Sequence, residues 1–500
     1  MNRFAALIGL LMTSLLPLSA SEFTVLVYNV ENLFDLDRVA EYSDYAQPPE
    51  GDYGPGPLLV KLENIRRTLA AVNDGRGPEV VLFQELELDR TPFDTPAAGD
   101  FLARTRGRAL EDLVREEPDY LDLPSELLLL KYLDDHGMGG YRVAQPDPFR
   151  MEQHPVQKNV VFSRYPVRYI RQRPMYRARD LLVVGLDVEG HELVLLDNHW
   201  KSGASDPDTE AIRIQNALVV RAELTAILNE NPAADVIVGG DFNSYYNQKA
   251  AFGDRLALTG INDILLSGND EQAMVAGEGY RLYNLWNELP WEERGSEVYR
   301  GSWGTLMQIL LTPGLYDRKG IQYVDNSFGR LVLSGPQGNV DRRWGVPVSW
   351  THFGGGRGFS DHLPVYARFR VLSGEGEEGW MEISPSEIEP RDPAYRPRVD
   401  FARINRMAAP AATVLEGMSD SELAQHLGEL FQIRLPLAGN RPPMVRIGER
   451  EMQVYSPIRG LREKLGDIEP GSLIRAFGQL DVYRGNPQFV IQDPSWLQQP

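Results

Sequence analysis

The sequence predicts an α/β protein with a small β domain towards its C-terminus. Short apolar runs such as Thr24–Asn29 and Val236–Val238 are typical of buried strands. Longer stretches with helical periodicity, such as Leu58–Val72 and Thr209–Leu228, lie among them. After an acidic, proline-rich stretch, Leu473–Asp493 alternates apolar and polar residues on both sides of a turn signal, which is typical of antiparallel strands.

The composition sets the broad class of the protein. The chain has 500 residues, 42% of them hydrophobic and 24% charged, which allows more than one domain and excludes wholesale disorder. The formal net charge of −20 repels nucleic acid at long range and leaves no overall basic footprint. A local groove with a divalent cation would offset that field, so the charge does not exclude a nuclease. No cysteine is present, which excludes disulfide partners and thiolate metal sites.

Met1–Ser21 is typical of a secretory signal peptide. Arg3 supplies the positive charge, Ala5–Leu18 is apolar, and small residues follow at the expected cleavage site. A membrane anchor is the alternative, but the apolar stretch is short for a spanning helix and no later segment is long and apolar enough. We therefore expect an exported protein, periplasmic or extracellular, without stable membrane insertion.

The remaining elements follow from the same periodicities. Glu189-Gly190 is a hairpin signal between two apolar runs, and Ser419 with Glu422 forms a capping-box pair that predicts a helix over Ser419–Phe431. Further strands are predicted at Val80–Gln84, Tyr141–Gln145, Lys158–Ser163, Leu181–Val188, His191–Asn198, Gly301–Leu315 (with a turn), Leu363–Phe369 and Met444–Tyr455, and further helices at Thr105–Glu116 and Ser125–Asp135.

Polar side chains stand at five strand termini. They are Asn29, Glu85, His199, Asp241 with Asn243, and Asp361 with His362. Ligands of α/β sheets gather beyond the carboxyl ends of the strands, so we expect these side chains to converge on one rim. Asp241 and Asn243 are two residues apart and share a face if the chain is extended, although an Asx turn is the plainer alternative. Carboxylates and carboxamides suit an oxygen-preferring metal, or a phosphate with its attacking water.

Five motifs carry a resemblance to a known family. YNVENLFD, FQELE, NHWKSG, GGDFNS and GFSDHLPVY occur in the order seen in the endonuclease/exonuclease/phosphatase superfamily, over roughly Glu22 to Arg370. This superfamily includes pancreatic deoxyribonuclease, abasic-site endonucleases, inositol-polyphosphate phosphatases and bacterial sphingomyelinases. The resemblance implies a four-layer α/β sandwich, in which two packed mixed sheets are flanked by helices, and metal-dependent cleavage of phosphate esters.

The resemblance also implies roles for the rim residues. Glu85 would bind the metal, with Asp361 and Asn29 completing the site or positioning the phosphate. Mg²⁺ is the expected ion, with Ca²⁺ or Mn²⁺ as alternatives. Asp241 would orient water, Asn243 would steady the phosphate, and His199 and His362 would move or hold protons. Phosphate contacts are expected from Lys201, which follows His199 as in exported bacterial nucleases, and from Arg213, for which exposure on a helix is the alternative. The loop residues Arg342, Arg343 and Arg357 would add local positive potential.

Two positions depart from the family pattern. Met307 stands where members often have an aspartate that orients the histidine of the SDH motif. Gln157 or Lys158 stands where the deoxyribonuclease branch has a glutamate partner for the histidine matching His199. These changes allow a slower enzyme, a different substrate chemistry or a binding protein without activity.

The chain divides into four predicted parts. Residues 1–21 form the signal peptide, 22–372 the catalytic domain, 373–400 an acidic proline-rich linker, and 401–500 a small domain. The last part resembles the oligonucleotide-binding (OB) barrel, with a small antiparallel packing module as the alternative. The main functional hypothesis is an exported nuclease that acts on DNA or RNA. The alternatives are a phosphomonoesterase, a sphingomyelinase-like enzyme on a lipid phosphate ester, and a non-catalytic binding protein.

Overall fold

The structure is a computed structural model. It describes residues 21–39, 53–89, 96–116, 120–147, 156–277, 279–335, 338–341, 343–350, 358–372, 379–483 and 486–498. Residues 1–20 of the predicted signal peptide, and also Arg342 and Arg357, lie outside these ranges.

Two mixed sheets form the centre of the larger domain. Their strands, with a separate short pair, are β1 (Ser21–Leu33), β2 (Val80–Glu87), β3 (Arg142–Ala144), β4 (Gln157–Ser163), β5 (Val167–Arg173), β6 (Leu181–Val188), β7 (His191–His199), β8 (Val236–Asp241), β9 (Ser267–Gly268), β10 (Leu282–Asn284), β11 (Glu297–Tyr299), β12 (Ser302–Gly304), β13 (Met307–Leu311), β14 (Ile321–Tyr323), β15 (Gly329–Arg330) and β16 (Val365–Val371). The first sheet has the order β14-β16-β1-β2-β4-β3, with β15 also on β16. The second has the order β5-β6-β7-β8-β13-β10-β9, and β11 pairs with β12 alone.

The helices of the larger domain are α1 (Pro55–Ala70), α2 (Ala98–Arg104), α3 (Leu110–Glu116), α4 (Ser125–Asp135), α5 (Pro207–Glu230), α6 (Gln248–Ala251) and α7 (Gln272–Val275). Of these, α1, α3, α4 and α5 cover the outer faces of the two sheets, whereas α7 packs on the core between the sheets. Val27 and Leu82 of the first sheet share one core with Leu195 and Ile237 of the second, so the sheets pack face to face. A second core joins the first sheet to α1, α3 and α4, and a third joins the second sheet to α5. The four-layer sandwich is confirmed.

The C-terminal part is a closed five-stranded barrel. Its elements are α8 (Asp420–Leu423), β17 (Leu430–Asn440), β18 (Pro443–Ile447), β19 (Arg450–Tyr455), α9 (Arg459–Gly466), β20 (Leu473–Tyr483), β21 (Asn486–Val490) and β22 (Leu497–Gln498). The strand order is β17-β18-β19-β21-β20, and β17 closes the ring by pairing with β20 as well. β19 and β21 are parallel, and α9 links β19 to β20. This closed barrel confirms the OB-like prediction over the simple antiparallel module.

Two predicted helices are wrong in extent. The helix predicted over Thr105–Glu116 begins only at Leu110, and the helix predicted over Ser419–Phe431 is also shorter in the structure. The Ser419–Glu422 capping pair forms, with the Glu422 N–H donating to Ser419 Oγ at 3.3 Å, but α8 ends at Leu423. From Leu430 the chain pairs with β20 instead, because Leu430, Phe431 and Ile433 lie in the barrel core. Local helix propensity yields there to tertiary packing. In the described part of the chain, no helix is long and apolar enough to cross a membrane.

Residues 379–400, here called the strap, lie against the larger domain without forming a helix or strand. The N–H of Met381 donates to the Tyr316 carbonyl at 2.8 Å, and the Met381 side chain is buried in the core between the sheets. Further along, the Val399 N–H donates to the Gly301 carbonyl at 2.9 Å. The predicted linker therefore lacks regular structure, as expected, but its described residues are not a free tether.

The two parts of the chain differ in charge and meet at aromatic rings. Residues 401–500 contain equal numbers of acidic and basic side chains, so the formal charge of −20 resides in the first 400 residues. Trp344 of the larger domain stacks on Trp496 of the barrel at 5.7 Å between ring centroids, and its edge contacts Phe401 at 5.1 Å.

Candidate active site

Two irregular strand ends shape the rim of the sandwich. The pairing of β1 with β2 shifts register after Asn29, and the pairing of β2 with β4 shifts between Phe83 and Leu86. Glu85 occupies this second irregularity with a φ of 67°, a conformation that non-glycine residues rarely adopt. Such backbone is retained where the surrounding structure fixes it, commonly at functional sites. The bulge therefore turns the Glu85 carboxylate towards the rim.

The two glycines before Asp241 permit a close approach of β7 and β8. Gly240 has a φ of 135°, and a Cβ at this position would lie 2.0 Å from the Asn198 carbonyl oxygen. No side chain fits there, so the geometry requires glycine at position 240. As a result Asp241 pairs directly with His199 across the parallel strands.

Asp241 is the centre of the site. Its Oδ2 accepts a hydrogen bond from Asn29 Nδ2 at 3.0 Å and lies 3.5 Å from His199 Nε2 and 3.8 Å from His362 Nε2. Asn29 Nδ2 also donates to Glu85 Oε1 at 3.1 Å, so one amide links the two carboxylates. The predicted convergence of these strand ends is present in the structure.

Asn243 has a double role in the local geometry. Its N–H donates to Asp241 Oδ1 at 2.8 Å, which is the Asx turn considered as the plainer alternative. Its Nδ2 donates to the Trp200 carbonyl at 3.1 Å, and its φ is 46°. Asn243 therefore holds Asp241 in orientation, while its contact with phosphate stays a prediction.

The two histidines have opposite ionisation tendencies. Burial lowers the pKa of His199 well below its usual value, and Arg179 and His362 lower it further. Burial alone would also lower the pKa of His362, but Asp361, Asp241, Glu297 and Glu85 together raise it to about 9. A neutral His199 and a protonated His362 at neutral pH are suited to accepting and donating protons, respectively.

Glu31 fixes the backbone that carries Asp361 by accepting hydrogen bonds. Its Oε2 accepts the backbone N–H of Asp361 at 2.8 Å, and its Oε1 accepts the Ser349 hydroxyl at 2.5 Å. Burial and the Asp361 charge raise the pKa of Glu31 to about 8. Glu31 is close to Asn29 in sequence, but its hydrogen-bond partners are more than 300 residues away along the chain. The sequence around Glu31 therefore does not predict this role. The carboxylate of Asp361 itself is exposed, with Oδ1 3.7 Å from His362 Nε2.

Met307 lies next to Asp241 and carries no charge to the site. It pairs with Asp241 across β13 and β8, and its side chain is buried in the core between the sheets. Glu297 of β11 instead adds a negative charge in the neighbourhood of His362. The Leu363 N–H donates to the Ser296 carbonyl at 2.6 Å, which brings β11 beside His362, and each side chain influences the pKa of the other. Sequence reasoning missed Glu297 because β11 is short and carries no motif.

Neither Gln157 nor Lys158 contacts His199 among the described residues, where His199 Nδ1 has no hydrogen-bond partner. Gln157 bonds to Asn32 and Arg179 at the end of β4. Lys158 points away and forms a buried ion pair with Glu126 at 2.9 Å. Arg179 Nη2 lies 4.0 Å from Glu85 Oε1, so the structure adds a cation that the sequence did not identify.

The prediction that Arg213 binds phosphate is wrong. Its guanidinium is fully buried and bonds to Glu210 Oε2 at 2.9 Å through Nε and at 2.7 Å through Nη2. It holds the start of α5 and is not available to a ligand. Lys201 remains at the rim, where its Nζ donates to Ser202 Oγ at 3.0 Å. Partial burial lowers its pKa, and so do the nearby charges of Arg177 and Arg179. Arg343 is exposed beside Trp344.

The donor set fits a hard divalent cation. Glu85 is mostly buried, which raises its pKa, and it offers a carboxylate beside Asp361 and the Asn29 amide. Only oxygen donors and imidazoles are present, and Mg²⁺, Ca²⁺ and Mn²⁺ prefer oxygen ligands. Asn29 Oδ1 accepts the Glu31 N–H at 2.9 Å, so the role of Asn29 as a ligand stays a prediction.

Comparison with known families agrees with this geometry. Residues 153–371 match the family model described as the Endonuclease/Exonuclease/phosphatase family. This region of the chain is thus similar to the endonuclease/exonuclease/phosphatase family, as the five sequence motifs predict. The match supports a hydrolase that acts on phosphoric esters, and the site described above contains residue types suited to that chemistry.

Solved structures similar to this chain include three from different organisms. Truncated Caenorhabditis elegans TDP2 is 14% identical, with a TM-score of 0.35 over 70% of this chain and 98% of that one. An endonuclease/exonuclease/phosphatase family protein from Bacteroides thetaiotaomicron is 13% identical, with a TM-score of 0.38 over 70% and 98%. Staphylococcus aureus beta toxin is 12% identical, with a TM-score of 0.37 over 69% and 99%. No curated protein sequence matches the chain.

Proposed function

We propose that the protein is an exported, divalent-metal-dependent phosphodiesterase that hydrolyses nucleic acid. The observation that carries the proposal is the position of Asp241, within 3.0 to 3.8 Å of Asn29, His199 and His362. Four separate strand termini thus place an acid, an amide and two imidazoles around one point. Their charges and hydrogen-bonding groups suit a phosphodiester and its attacking water.

The chemistry follows from the residues around that point. Asp241 orients the attacking water and accepts its proton, with the neutral His199 beside it. The protonated His362 donates to phosphate oxygens as negative charge builds. The chemistry that a bound divalent cation supplies is neutralisation of phosphate charge and stabilisation of the leaving oxygen, and Glu85 is the residue that would hold it. Lys201, with Arg177 and Arg179 nearby, gives the rim local positive charge for phosphate.

The barrel supports a polymeric substrate. OB folds bind oligonucleotides and oligosaccharides across one face and two loops. Arg434 and Arg475 are paired directly across β17 and β20, and both are exposed. Like charges directly opposite each other destabilise a sheet, so this pair favours an anionic ligand. Residues 401–500 also carry no formal net charge, whereas the first 400 residues carry a net charge of −20.

A substrate panel with site variants tests the proposal. Purified protein is incubated with plasmid, RNA, bis-p-nitrophenyl phosphate and p-nitrophenyl phosphate, with EDTA or with Mg²⁺, Ca²⁺ or Mn²⁺. Diester cleavage that EDTA abolishes is expected. Asp241→Asn and His362→Ala should each reduce turnover roughly a hundredfold to ten-thousandfold, with little change in Tm.

Glu85→Gln, with Glu79→Gln as its matched control, tests the metal assignment. Glu85→Gln should abolish the metal-dependent rate, whereas Glu79→Gln, just before the opposite end of β2, should not. If the protein hydrolyses only monoesters, it is a phosphomonoesterase and the proposal is wrong. Absence of any hydrolysis would favour a binding protein.

A further inference from the structure

Lys61 of α1 is a fully buried lysine that the chemistry described above does not use. Its Nζ donates to the carbonyl of Val30, to that of Glu31 at 3.0 Å and to that of Phe359 at 2.9 Å. The same Nζ lies 4.7 Å from the centre of the Trp350 ring. A lysine ammonium has three donors and no acceptor, so three carbonyl oxygens beside an aromatic face match its capacity. The contacts of Nζ therefore use every one of its donors.

Two of these carbonyls lie in an irregular stretch at the end of β1. The register of β1 with β2 shifts between Asn29 and Leu33, and Glu31 has a φ of 53°. An irregularity of this kind disrupts the ladder hydrogen bonds of a strand, and a buried carbonyl without a partner is unfavourable. Lys61 thus supplies donors at the point where the strand leaves its regular pairing.

The third carbonyl belongs to the segment that carries Asp361 and His362. Phe359 stands two residues before Asp361, and the Asp361 N–H donates to the carboxylate of Glu31 at 2.8 Å. Glu31 is therefore bonded to Asp361 through its side chain and to Lys61 through its carbonyl. One ammonium group thus joins the end of β1 to this segment, and a shift of either would break a hydrogen bond to Lys61.

A second residue on the same face of α1 contacts the same segment. Asn64 stands three residues after Lys61, and its Nδ2 donates to the Gly358 carbonyl. Gly358 has a φ of 84°, and a Cβ at this position would lie 2.0 Å from the Ser349 carbonyl oxygen. The backbone that leads to Asp361 is therefore closely packed on one side and bonded to α1 on the other.

We propose that Lys61 is a positioning residue for the hydrolytic reaction, which holds the segment of Asp361 and His362 against the end of β1 that carries Asn29. The catalytic part of this inference rests on the function proposed above. A displacement of about 1 Å at reacting groups can cost a hundredfold in rate, so a residue that fixes two site segments affects turnover without touching substrate. Burial lowers the pKa of Lys61 to about 7, although three nearby acids oppose this shift, so assays at pH 6 keep its ammonium protonated.

Lys61→Met in the full chain, with Lys131→Met as its matched control, tests the role. Lys131 of α4 is also buried, and its Nζ donates to the Arg108 carbonyl at 2.6 Å and to Asp135. Both variants should have a lower Tm. Only Lys61→Met should also lower kcat on bis-p-nitrophenyl phosphate, by at least roughly tenfold and with a smaller change in KM. Lys61→Gln keeps two N–H donors, should give an intermediate kcat, and carries the test if Lys61→Met does not fold.

A chemical rescue separates the ammonium of Lys61 from the bulk of its side chain. The chain contains no cysteine, so the thiol of Lys61→Cys can be alkylated selectively in denaturant before the protein is refolded. Bromoethylamine restores an ammonium at nearly the reach of lysine, whereas propyl iodide gives a side chain of the same length without the ammonium. The first product should recover most of the wild-type kcat, and the second should remain slow. Equal kcat values for the two products would overturn the proposal.

Hydrogen exchange of residues 358–363 measures the position of the segment without any substrate. Exchange there should rise in Lys61→Met and stay at the wild-type level in Lys131→Met. Unchanged exchange in Lys61→Met would overturn the proposal, and so would an unchanged kcat. If the wild-type protein hydrolyses none of the esters, the proposed function fails, whereas the exchange result still decides whether Lys61 holds the segment.

Discussion

At the scale of single residues, the environment of His362 shows how this histidine keeps its positive charge at neutral pH. The position next to Asp241 that often holds an aspartate in this superfamily is Met307, buried against apolar side chains. Glu297 of β11 is one of four acids whose charges raise the pKa of His362, and its Oε2 is anchored by the Leu306 N–H at 3.1 Å. A carboxylate from a different strand thus contributes to the negative charge around the histidine.

Glu297→Gln should lower turnover and shift its pH dependence. Removing this carboxylate takes away one of the charges that raise the pKa of His362 to about 9. His362 would then lose its proton at lower pH, so the alkaline limb of the rate profile should move towards neutrality. The measurement is kcat against pH for wild type, Glu297→Gln and the conservative Glu297→Asp, which should retain part of the shift. An unchanged alkaline limb in Glu297→Gln would show that Glu297 does not act on His362.

The site residues that the sequence predicts lie directly after strands, whereas those it does not predict are brought to the site by tertiary packing. Glu85, His199 and Asp241 follow apolar strands directly, so their position was readable from the chain. Glu297 and Arg179 reach the site through packing between distant segments. The prediction for Arg213 failed because an arginine in the second turn of a helix is usually exposed, and the sequence does not show that this one is buried in an ion pair with Glu210.

At the scale of elements, three loops bring carboxylates together beneath the strap. Glu271, Glu288 and Asp325 lie within 4.8 Å of one another. Tyr323 donates to Glu288 Oε2 at 2.5 Å, and the Ser384 N–H of the strap donates to Asp325 Oδ2 at 2.8 Å. Burial and the neighbouring acids raise the pKa of Glu288 well above 4.5 and that of Glu271 to about 7.

This cluster should weaken the fold as pH rises. In the unfolded chain Glu288 ionises near its ordinary value of 4.5, whereas in the folded chain it holds its proton to higher pH. The free energy of unfolding therefore falls between pH 4.5 and the folded pKa. Glu288→Gln removes that loss and should be more stable than wild type at pH 8, with little difference near pH 4. Denaturant unfolding at both pH values in EDTA measures this. A variant less stable than wild type at pH 8 would contradict it.

The sequence predicts helices and strands correctly where the local hydrophobic periodicity agrees with the tertiary packing. The hairpin at Glu189-Gly190 forms as expected, with positive φ at both residues. The acidic, proline-rich composition of the strap predicts a linker. Composition alone does not reveal that Met381 fills a place in the core.

At the scale of the whole molecule, the boundary between the two parts lies after the strap. A chain ending at Leu372 loses the Met381 side chain from the core and the ion pair between Arg391 and Glu292. It should have a clearly lower Tm than a chain ending at Asp400, because filling a core position with Met is worth about 2–5 kcal/mol.

The chain ending at Asp400 should also cleave a small diester at a rate close to that of the full chain, but cleave plasmid or RNA less efficiently. Melting curves and kcat/KM for both substrates measure these effects. Equal Tm values for the two truncations would show that the strap contacts do not stabilise the domain. Equal cleavage of polymer with and without the barrel would remove its proposed role.

The uneven distribution of charge makes the molecule an electric dipole. Its formal charge of −20 is confined to the first 400 residues, while the barrel region is neutral. In the field of an anionic polymer, such a dipole turns its acidic end outwards before any contact forms. Encounters in which the barrel arrives first are therefore the least repelled. For the proposed nucleic-acid substrate, the cleft around Asp241 would then meet a strand held nearby, at a distance where the local cations of the cleft outweigh the charge of the remaining surface.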